Sequence, residues 1–419
     1  MDTKQLCELI DTHKEELFSL LSDLVRINSE NFGSHGNEQP CAEYVLELCK
    51  KLGLESQMYS PLDLENFAQH PDYFPGRNLE NRYNVVARWK GITNYDQLML
   101  MGHLDTVEIG NPANWEKEPL SGEISDGKIY GRGSCDDKYA LATSLFIIRL
   151  LKEAGFTPKK NLVFSAYCDE ELGGSHGAMA AVIRDTCEIT LNLDGRVNQI
   201  WHCASGGQVV TYRYRVRGTV DSAEKTARAF PIIMDELALF GKKRQEELEQ
   251  NPYYRGTIIP STSLRYNEIR AGNNDMDKDV GELRFTFYTD KTKEAIWEEF
   301  AQIERTLQEK LDPLGIDNIG FSGETRFFHY GACEPDMPEI RAIVDTAKEV
   351  TGEDVKVCGS CLSDLSVILK YGGRVAVAFG NGRDFSQPGG PHQPNEFIEC
   401  ESLVNFAKKI GAYVLRTLG

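Results

Sequence analysis

The amino-acid sequence predicts an α/β protein with a mostly parallel (mixed) sheet sandwiched by helices and an inserted α+β domain of the ferredoxin-like kind. In residues 1–198, apolar strand-like runs alternate with long helical patterns, which is typical of βαβ units. From residue 199 to 328 the order becomes β-α-β-β-α-β, which fits a small open-faced sandwich. The α/β character returns over residues 329–419. We therefore expect one α/β domain, residues 1–198 and 329–419, interrupted by a second domain.

The individual elements follow from periodicity in the sequence. Helical spacing of Leu6, Ile10 and Leu17 predicts a helix over 3–27, and Gly53 closes a second helix over 40–53. Further strands are predicted at 84–91, 98–105, 161–171, 189–195, 207–218, 261–269, 281–289, 319–327 and 375–380, and further helices at 138–154, about 222–249, 293–311, 337–351 and 401–418.

Composition excludes several classes of protein. The 419 residues are 41% apolar and 26% charged, which is enough to bury a sizeable core. The net charge of −18 disfavours a nucleic-acid partner, since phosphate binding needs the opposite balance. No apolar run approaches the roughly 20 residues of a membrane span, and the N-terminus lacks the pattern of a signal peptide. Eleven cysteines without a framework spacing favour reduced thiols, so we expect a cytoplasmic protein with no membrane partner.

Polar residues with metal-binding chemistry stand where the predicted strands end. His103 and Asp105 are two residues apart, so an extended backbone points both to the same side. Imidazole is the commonest metal ligand in proteins, and a nearby carboxylate commonly fixes its tautomer. Asp136 lies in the glycine-punctuated segment GRGSCDDK just before a helix, where one carboxylate can bridge two cations.

Three further strand ends and loops add ligands. Glu170 and Glu171 follow one strand, which allows one carboxylate to bind a metal while the other acts as a general base. Asp194 ends another strand, and His392 lies in a proline- and glycine-rich loop. Mixed nitrogen and oxygen ligands suit two Zn²⁺, with Co²⁺ or Mn²⁺ possible, and leave an open position for water.

Taken in order, the motifs GHLDTV, GRGSCDDK, DEELGG, LDG and PHQPNEF resemble those of the two-zinc amidohydrolases and exopeptidases, the family of acetylornithine deacetylase, succinyl-diaminopimelate desuccinylase, aminoacylase and glutamate carboxypeptidase. The resemblance runs from about residue 10 to the C-terminus. It implies a general base at Glu170, a second-shell partner of His103 at Asp105, and a cis peptide bond between Asp136 and Asp137. It further implies that one metal is held by His103, Asp136 and Asp194, and the other by Glu171, His392 and the bridging Asp136.

The sequence departs from this family in the inserted domain. Members commonly carry a histidine there that stabilises the oxyanion, but no histidine occurs between His202 and His329. Asp221 stands near the expected place, where a carboxylate would repel an oxyanion. Tyr288 and Ser366 stand near positions where an arginine often grips the substrate carboxylate. We therefore expect another oxyanion donor, such as His202, an arginine or asparagine, or the metals alone, and a substrate that lacks a free carboxylate at the usual place.

The resemblance implies a metal-dependent amidohydrolase or metallopeptidase, and in particular a deacylase-like hydrolase of an amide in an N-acyl amino acid, dipeptide or related small metabolite. Two alternatives stay open: a short-peptide exopeptidase, and a non-catalytic metal-dependent binding protein that has lost the histidine of the inserted domain. The family often dimerises through that domain, so a homodimer is a further expectation. Weighed by itself, His202 is expected to be solvated rather than catalytic.

Overall fold

The computed structural model describes residues 1–218, 221–254, 263–270 and 279–419. The chain divides into two compact units. The first unit comprises Met1–His202, Cys333–Cys358 and Val367–Gly419. The second unit comprises Cys203–Ala332 together with Gly359–Ser366.

The regular elements of the described residues are named here in chain order. The α-helices are α1 (Thr3–Arg26), α2 (Gln39–Lys51), α3 (Lys138–Glu153), α4 (His176–Arg184), α5 (Ser222–Leu248), α6 (Lys293–Leu311), α7 (Pro338–Thr351), α8 (Leu365–Tyr371) and α9 (Cys400–Leu418). The strands are β1 (Glu55–Tyr59), β2 (Asn84–Trp89), β3 (Asp96–His103), β4 (Ile124–Ser125), β5 (Lys128–Tyr130), β6 (Asn161–Tyr167), β7 (Ile189–Asn192), β8 (Gln199–Ala204), β9 (Gly206–Val216), β10 (Leu264–Arg270), β11 (Val280–Thr289), β12 (Ile316–Gly323), β13 (Gly331–Ala332), β14 (Lys356–Gly359), β15 (Val375–Phe379) and β16 (Phe397–Glu399).

The main sheet of the first unit is mixed and parallel at its centre, which confirms the predicted fold class. Its strands run in the order β1-β2-β6-β3-β7-β15-β8. Strand β3 pairs in parallel with β6 and β7, and β7 pairs in parallel with β15. The flanking strands β2 and β8 are antiparallel to their neighbours β6 and β15. The carboxyl ends of β3, β6 and β7 therefore meet at one edge of the sheet, where ligands bind in α/β proteins.

The core of the first unit is built around α3, which is apolar on almost every side and buried along nearly its whole length. Helices α1 and α9 pack against it. The first residue of α3, Lys138, is itself buried, and its Nζ donates hydrogen bonds to the carbonyls of Leu24 (3.0 Å) and Ile27 (2.7 Å). The ammonium thus binds two carbonyls at the end of α1, where helix carbonyls lack their usual partners four residues further on. No helix in the described part of the chain is long and apolar enough to cross a membrane.

The second unit has a four-stranded antiparallel sheet in the order β10-β11-β9-β12. Together with α5 and α6 it follows the predicted β-α-β-β-α-β order. Alternation along β9 buries Tyr212 and Tyr214 and turns Arg213 outward, as a sheet with one covered face requires. The buried side chains pack with Phe285 and Phe300 in a separate hydrophobic core.

Candidate active site

The site lies at the carboxyl edge of the main sheet. His103 is the last residue of β3 and stands opposite Tyr167, the last residue of β6. The loop after β6 carries Glu170 and Glu171, and the loop after β7 carries Asp194. The parallel register therefore brings together side chains that are up to 91 residues apart in the sequence, from His103 to Asp194.

Asp136 lies between two imidazoles. One carboxylate oxygen is 3.1 Å from Nε2 of His103, and the other is 3.2 Å from Nε2 of His392. The same His392 nitrogen is 3.0 Å from a carboxylate oxygen of Glu171. Ligand atoms of His103, Asp136 and Glu171 lie within 4.8 Å of one another. Two oxygens that face two different imidazoles are what a bridging carboxylate requires.

The electrostatics of this cluster indicate an excess of negative charge. Burial and the nearby charge of Asp136 raise the pKa of Asp194 to about 7. Burial opposes charge on His392, yet the carboxylates of Glu171 and Asp136 raise its pKa to about 11. The pKa of His103 is also raised well above its ordinary value, because its hydrogen bond to Asp136 and nearby carboxylates outweigh burial. Two imidazoles within clustered carboxylates form a donor set that fits divalent cations.

Asp105 contacts His103 through a different atom from the one expected. Nδ1 of His103 is 2.8 Å from the backbone carbonyl of Asp105, whereas the nearest carboxylate oxygen is 3.9 Å away. The carboxylate instead accepts hydrogen bonds from the backbone N–H of Glu170 (3.1 Å) and of Glu171 (3.0 Å). Asp105 therefore orients the histidine with its backbone and the glutamate loop with its side chain.

Asn31 and Arg77 complete this arrangement, and neither was identified from the sequence. The buried Asn31 amide donates to the Asp105 carboxylate (2.8 Å) and to the carbonyl of Glu171 (3.2 Å). Nη2 of Arg77 donates to the same carbonyl (3.0 Å). The backbone of Glu171 is thus held at both its N–H and its C=O. We call Asn31, Arg77 and Asp105 the glutamate-loop clamp.

Asp169, the first of the three consecutive acids, is paired with basic side chains of the protein. Its carboxylate is 2.8 Å from Nη1 of Arg82 and 2.6 Å from Nδ1 of His176. Burial raises the pKa of Asp169, but the hydrogen bond from His176 and the charge of Arg82 bring it below the ordinary value. Arg82 also pairs with the buried Glu38. Asp169 is therefore a fixed counter-charge that directs the loop, while Glu170 and Glu171 are left for the site.

The loop of His392 is joined to the loop of Asp136 by a buried ion pair. The Glu396 carboxylate is 2.6 Å from Nη1 of Arg132, and it accepts a hydrogen bond from the backbone N–H of Cys135 (3.0 Å). Glu396 follows His392 by four residues, and Cys135 directly precedes Asp136. The pair therefore fixes the two loops that meet at Asp136.

The peptide bond between Asp136 and Asp137 is cis, as the family resemblance predicted. The buried Asp137 accepts a hydrogen bond from the backbone N–H of His103 (3.2 Å). Glu170 is half-buried, and its charge contributes to the raised pKa of His103.

The expectation that His202 is solvated is wrong. His202 is buried in the first unit, and its Nδ1 is 2.7 Å from the carbonyl of Cys333. Burial lowers its pKa, so the ring is held in the neutral form. The sequence signal was misleading because His202 lies on β8, a strand that the periodicity did not reveal.

The second unit contains an arginine that alignment by motif missed. Ser366, which stands near a position where the family often has an arginine, accepts a hydrogen bond from Nη2 of the buried Arg326 (2.8 Å). Tyr288 is buried, and Asp221 precedes α5 in a left-handed conformation. A guanidinium is therefore present beside Ser366, although it comes from another segment of the chain.

A mixed α/β sheet whose carboxyl edge gathers two imidazoles and several carboxylates is typical of a metallohydrolase. Residues 99–416 match the sequence profile of Peptidase family M20/M25/M40, and the chain belongs to this family. This confirms the expected resemblance and the expected class of enzyme. The chain is 25% identical, over 94% of its own length and 97% of the relative's, to an uncharacterised metallohydrolase of Methanocaldococcus jannaschii.

Two other relatives cover the whole fold. The N-formyl-4-amino-5-aminomethyl-2-methylpyrimidine deformylase of Bacillus subtilis is 25% identical over 97% of this chain and 95% of its own length. Among solved structures, the dipeptidase Dug1p of Saccharomyces cerevisiae superposes with a TM-score of 0.74 at 15% identity, covering 99% of this chain and 98% of that one. At that identity the likeness shows the fold alone.

Proposed function

We propose that this chain is a dinuclear zinc-dependent hydrolase that cleaves the amide bond of an N-acyl amino acid, a dipeptide or a related small metabolite. The observation that carries the proposal is the placement of Asp136, whose two oxygens face the imidazoles of His103 and His392. The name of one relative, a deformylase that the chain matches over 97% of its length, supports amide chemistry.

In this proposal each side chain of the cluster has one role. His103, Asp136 and Asp194 would hold one cation, and Glu171, His392 and Asp136 would hold the other. Bound divalent cations supply Lewis acidity toward a carbonyl and lower the pKa of water. Burial and the charge of Asp136 raise the pKa of Asp194 to about 7, and, despite burial, the carboxylates of Glu171 and Asp136 raise that of His392 to about 11. Both shifts support this assignment, because a cation would compensate the carboxylate charge that contributes to each.

Glu170 is the proton carrier of the proposed reaction. Its backbone N–H is bound by Asp105, while Glu171 beside it points a carboxylate oxygen at His392. Glu170 accepts a proton from the attacking water and then donates it to the departing amine nitrogen. The glutamate-loop clamp fixes the backbone of both glutamates. Glu170 and Glu171 therefore keep the same positions relative to each other while the proton is transferred.

The test is turnover after reconstitution with a defined metal. Purified protein is stripped with a chelator, reloaded with Zn²⁺, Co²⁺ or Mn²⁺, and assayed on dipeptides and N-acyl amino acids, each paired with its carboxylate-blocked amide. We expect two metal equivalents and metal-dependent amide cleavage. Preference for the blocked amides would support a substrate that lacks a free carboxylate at the usual place. Two bound metals with no cleavage across the panel would overturn the proposal in favour of a non-catalytic binding protein.

Assembly and location are part of the same proposal. We propose a homodimer formed through the second unit, where β10 lies at a sheet edge and most of its side chains are exposed. Light scattering coupled to size exclusion tests this, and a monomer at all concentrations would contradict it. We propose a cytoplasmic location, which fits eleven cysteines that form no disulfide in the described part of the chain and is tested by cell fractionation.

A further inference from the structure

We propose that the site carries a subsite for a large apolar substrate group on the side of His392 and Glu171, and that Phe385 and Leu172 form it. This inference rests on the proposed function and specifies its substrate class. It predicts an amide with an aromatic or large aliphatic group next to the scissile bond. It depends on two side chains that are apolar, exposed and adjacent to metal-ligand candidates.

Phe385 stands directly against His392. The two ring centroids are 5.1 Å apart with the planes at 83°, an edge-to-face contact. Despite this contact, 43% of Phe385 stays exposed. An aromatic side chain that is not buried in a core but contacts a candidate ligand offers its free surface to whatever binds there.

Ion pairs and a hydrogen bond hold the loop that carries Phe385. Asp384 pairs with Arg196 at 2.8 Å, and its carboxylate also accepts a hydrogen bond from the Ser386 hydroxyl (2.6 Å). Arg383 pairs with Glu399 at the base of the loop. The exposure of Phe385 is therefore fixed by its neighbours and does not reflect a loose loop.

Charge around Phe385 is compensated within the protein. The Arg196 guanidinium lies 6.0 Å from the Phe385 ring and is engaged by Asp384. An arginine that already has a carboxylate partner is a weak receptor for a substrate anion. What this side of the site offers a substrate is the ring surface itself, which favours an apolar group over a charged one.

Leu172 is the second side chain of the proposed subsite. It directly follows Glu171, is 48% exposed, and has a left-handed backbone with φ of 63°. A leucine in this conformation is strained, and glycine would adopt it without cost. A half-exposed apolar side chain at a strained backbone position points to a role in the site rather than in the core.

The experiment measures substrate preference in Phe385→Ala and Leu172→Gly. Zinc-loaded enzymes are assayed on N-acetylglycine, N-benzoylglycine and N-acetylphenylalanine, and the ratio of kcat/KM for the apolar substrates to that for N-acetylglycine is compared. We expect the wild type to prefer an apolar substrate, and we expect this kcat/KM ratio to be about tenfold lower in each variant. Phe385→Leu should restore part of it. Metal content is measured in every sample to exclude displacement of His392.

Leu172→Gly separates a substrate role from a structural one. Because glycine relieves the left-handed strain, the melting temperature of the variant should stay level or rise while the preference falls. Two controls are matched to the variants. Asn66→Gly changes another exposed left-handed residue, with φ of 58°, and Ile92→Ala removes an apolar side chain that is 74% exposed. Both should keep the wild-type ratio.

The outcomes distinguish this inference from the proposed function. If the wild type cleaves the panel and neither variant changes the ratio, the subsite is overturned and the hydrolase stands. If the wild type cleaves neither these substrates nor their carboxylate-blocked amides, the hydrolase fails, and the subsite is judged by calorimetric binding of benzoate against acetate to the zinc-loaded protein. Tighter benzoate binding that is lost in Phe385→Ala supports the subsite, and equal binding of the two anions overturns it.

Discussion

At the residue scale, the proposed chemistry depends on different roles for two adjacent glutamates, Glu170 as proton carrier and Glu171 as metal ligand. Glu171 points a carboxylate oxygen at His392, and Glu170 stands directly before it in the chain. We predict that Glu170→Gln lowers turnover by about 10²–10⁴-fold, because the amide cannot accept the proton, while metal content stays at the wild-type level. Turnover and metal analysis on the same samples check this.

The neighbouring variant Glu171→Gln is the natural comparison for Glu170→Gln. It exchanges the same chemical group one position further along the chain and should lose metal as well as activity, because a neutral amide is a poorer ligand than a carboxylate. Normal turnover in Glu170→Gln would remove Glu170 from the mechanism. Equal metal loss in both variants would show that the two roles are not separated.

The residues at strand ends could be predicted from the sequence, whereas their supports could not. His103, Glu171 and Asp194 each follow an apolar run, and parallel strands bring such ends together. Asn31 gave no comparable signal, because it lies 74 residues from Asp105 in a loop and its role exists only once the sheet has formed. The carboxylate of Asp105 was assigned to His103 because spacing shows a shared side but not which atom makes the contact.

At the element scale, the loop after β6 is a strained segment held by outside contacts. Asp169 and Leu172 both have left-handed backbones, with φ of 58° and 63°. Conformations of this kind persist only where the surroundings enforce them. The clamp of Asn31, Arg77 and Asp105 supplies that constraint through the backbone of Glu170 and Glu171.

We predict that Asn31→Ala weakens metal binding and lowers kcat by about 10–100-fold each, the usual cost of removing a partner that orients a ligand. The Asp105 carboxylate and the Glu171 carbonyl would both lose a donor. Metal affinity from competition with a chelator dye, and kcat at saturating metal, measure the two effects. Asn111→Ala, which removes the cap of an exposed 3₁₀ turn, is a suitable control.

A readout on the stability of the metal-free protein distinguishes positioning from folding in Asn31→Ala. A positioning role leaves the metal-free melting temperature within a few degrees of the wild type and reduces the increase that zinc produces. A variant that melts much earlier without metal, yet binds zinc normally when folded, would contradict the clamp.

Elements with a strong period were predicted closely, and elements without one were missed. Helix α6 begins and ends as expected because its apolar residues recur at helical spacing. Strand β8 was missed because it is almost wholly buried and short, which periodicity does not distinguish from other apolar runs.

At the scale of the whole molecule, the site brings together residues that are far apart in the sequence. His103 and His392 are 289 residues apart, and both contact Asp136. An unfolded chain does not hold them together, so metal binds the native state preferentially and stabilises it. We predict that a chelator lowers the melting temperature and that free Zn²⁺ at 100 times its Kd adds about 2.7 kcal/mol to the free energy of unfolding. Calorimetric melting with and without chelator tests this, and an unchanged melting temperature would contradict it.

Charge balance across the cluster makes metal binding depend on pH. Without metal, the pKa of His392 is about 11, so its ring is protonated at neutral pH, and the pKa of Asp194 is about 7. A metal ligand must be deprotonated, so zinc binding at pH 7 must expel protons. Affinity therefore rises with pH, and it rises more steeply below pH 7, where Asp194 also carries a proton that must leave.

We predict that calorimetric titration of the metal-free protein in buffers of different ionisation enthalpy shows more protons released at pH 6 than at pH 8. The excess at pH 6 belongs to Asp194, because its pKa of about 7 lies between the two conditions. His392, with a pKa of about 11, contributes at both. His392→Ala should therefore release fewer protons at either pH, and Asp194→Asn should reduce the difference between the two. Equal proton release at pH 6 and pH 8 in the wild type would show that carboxylate crowding does not govern this site.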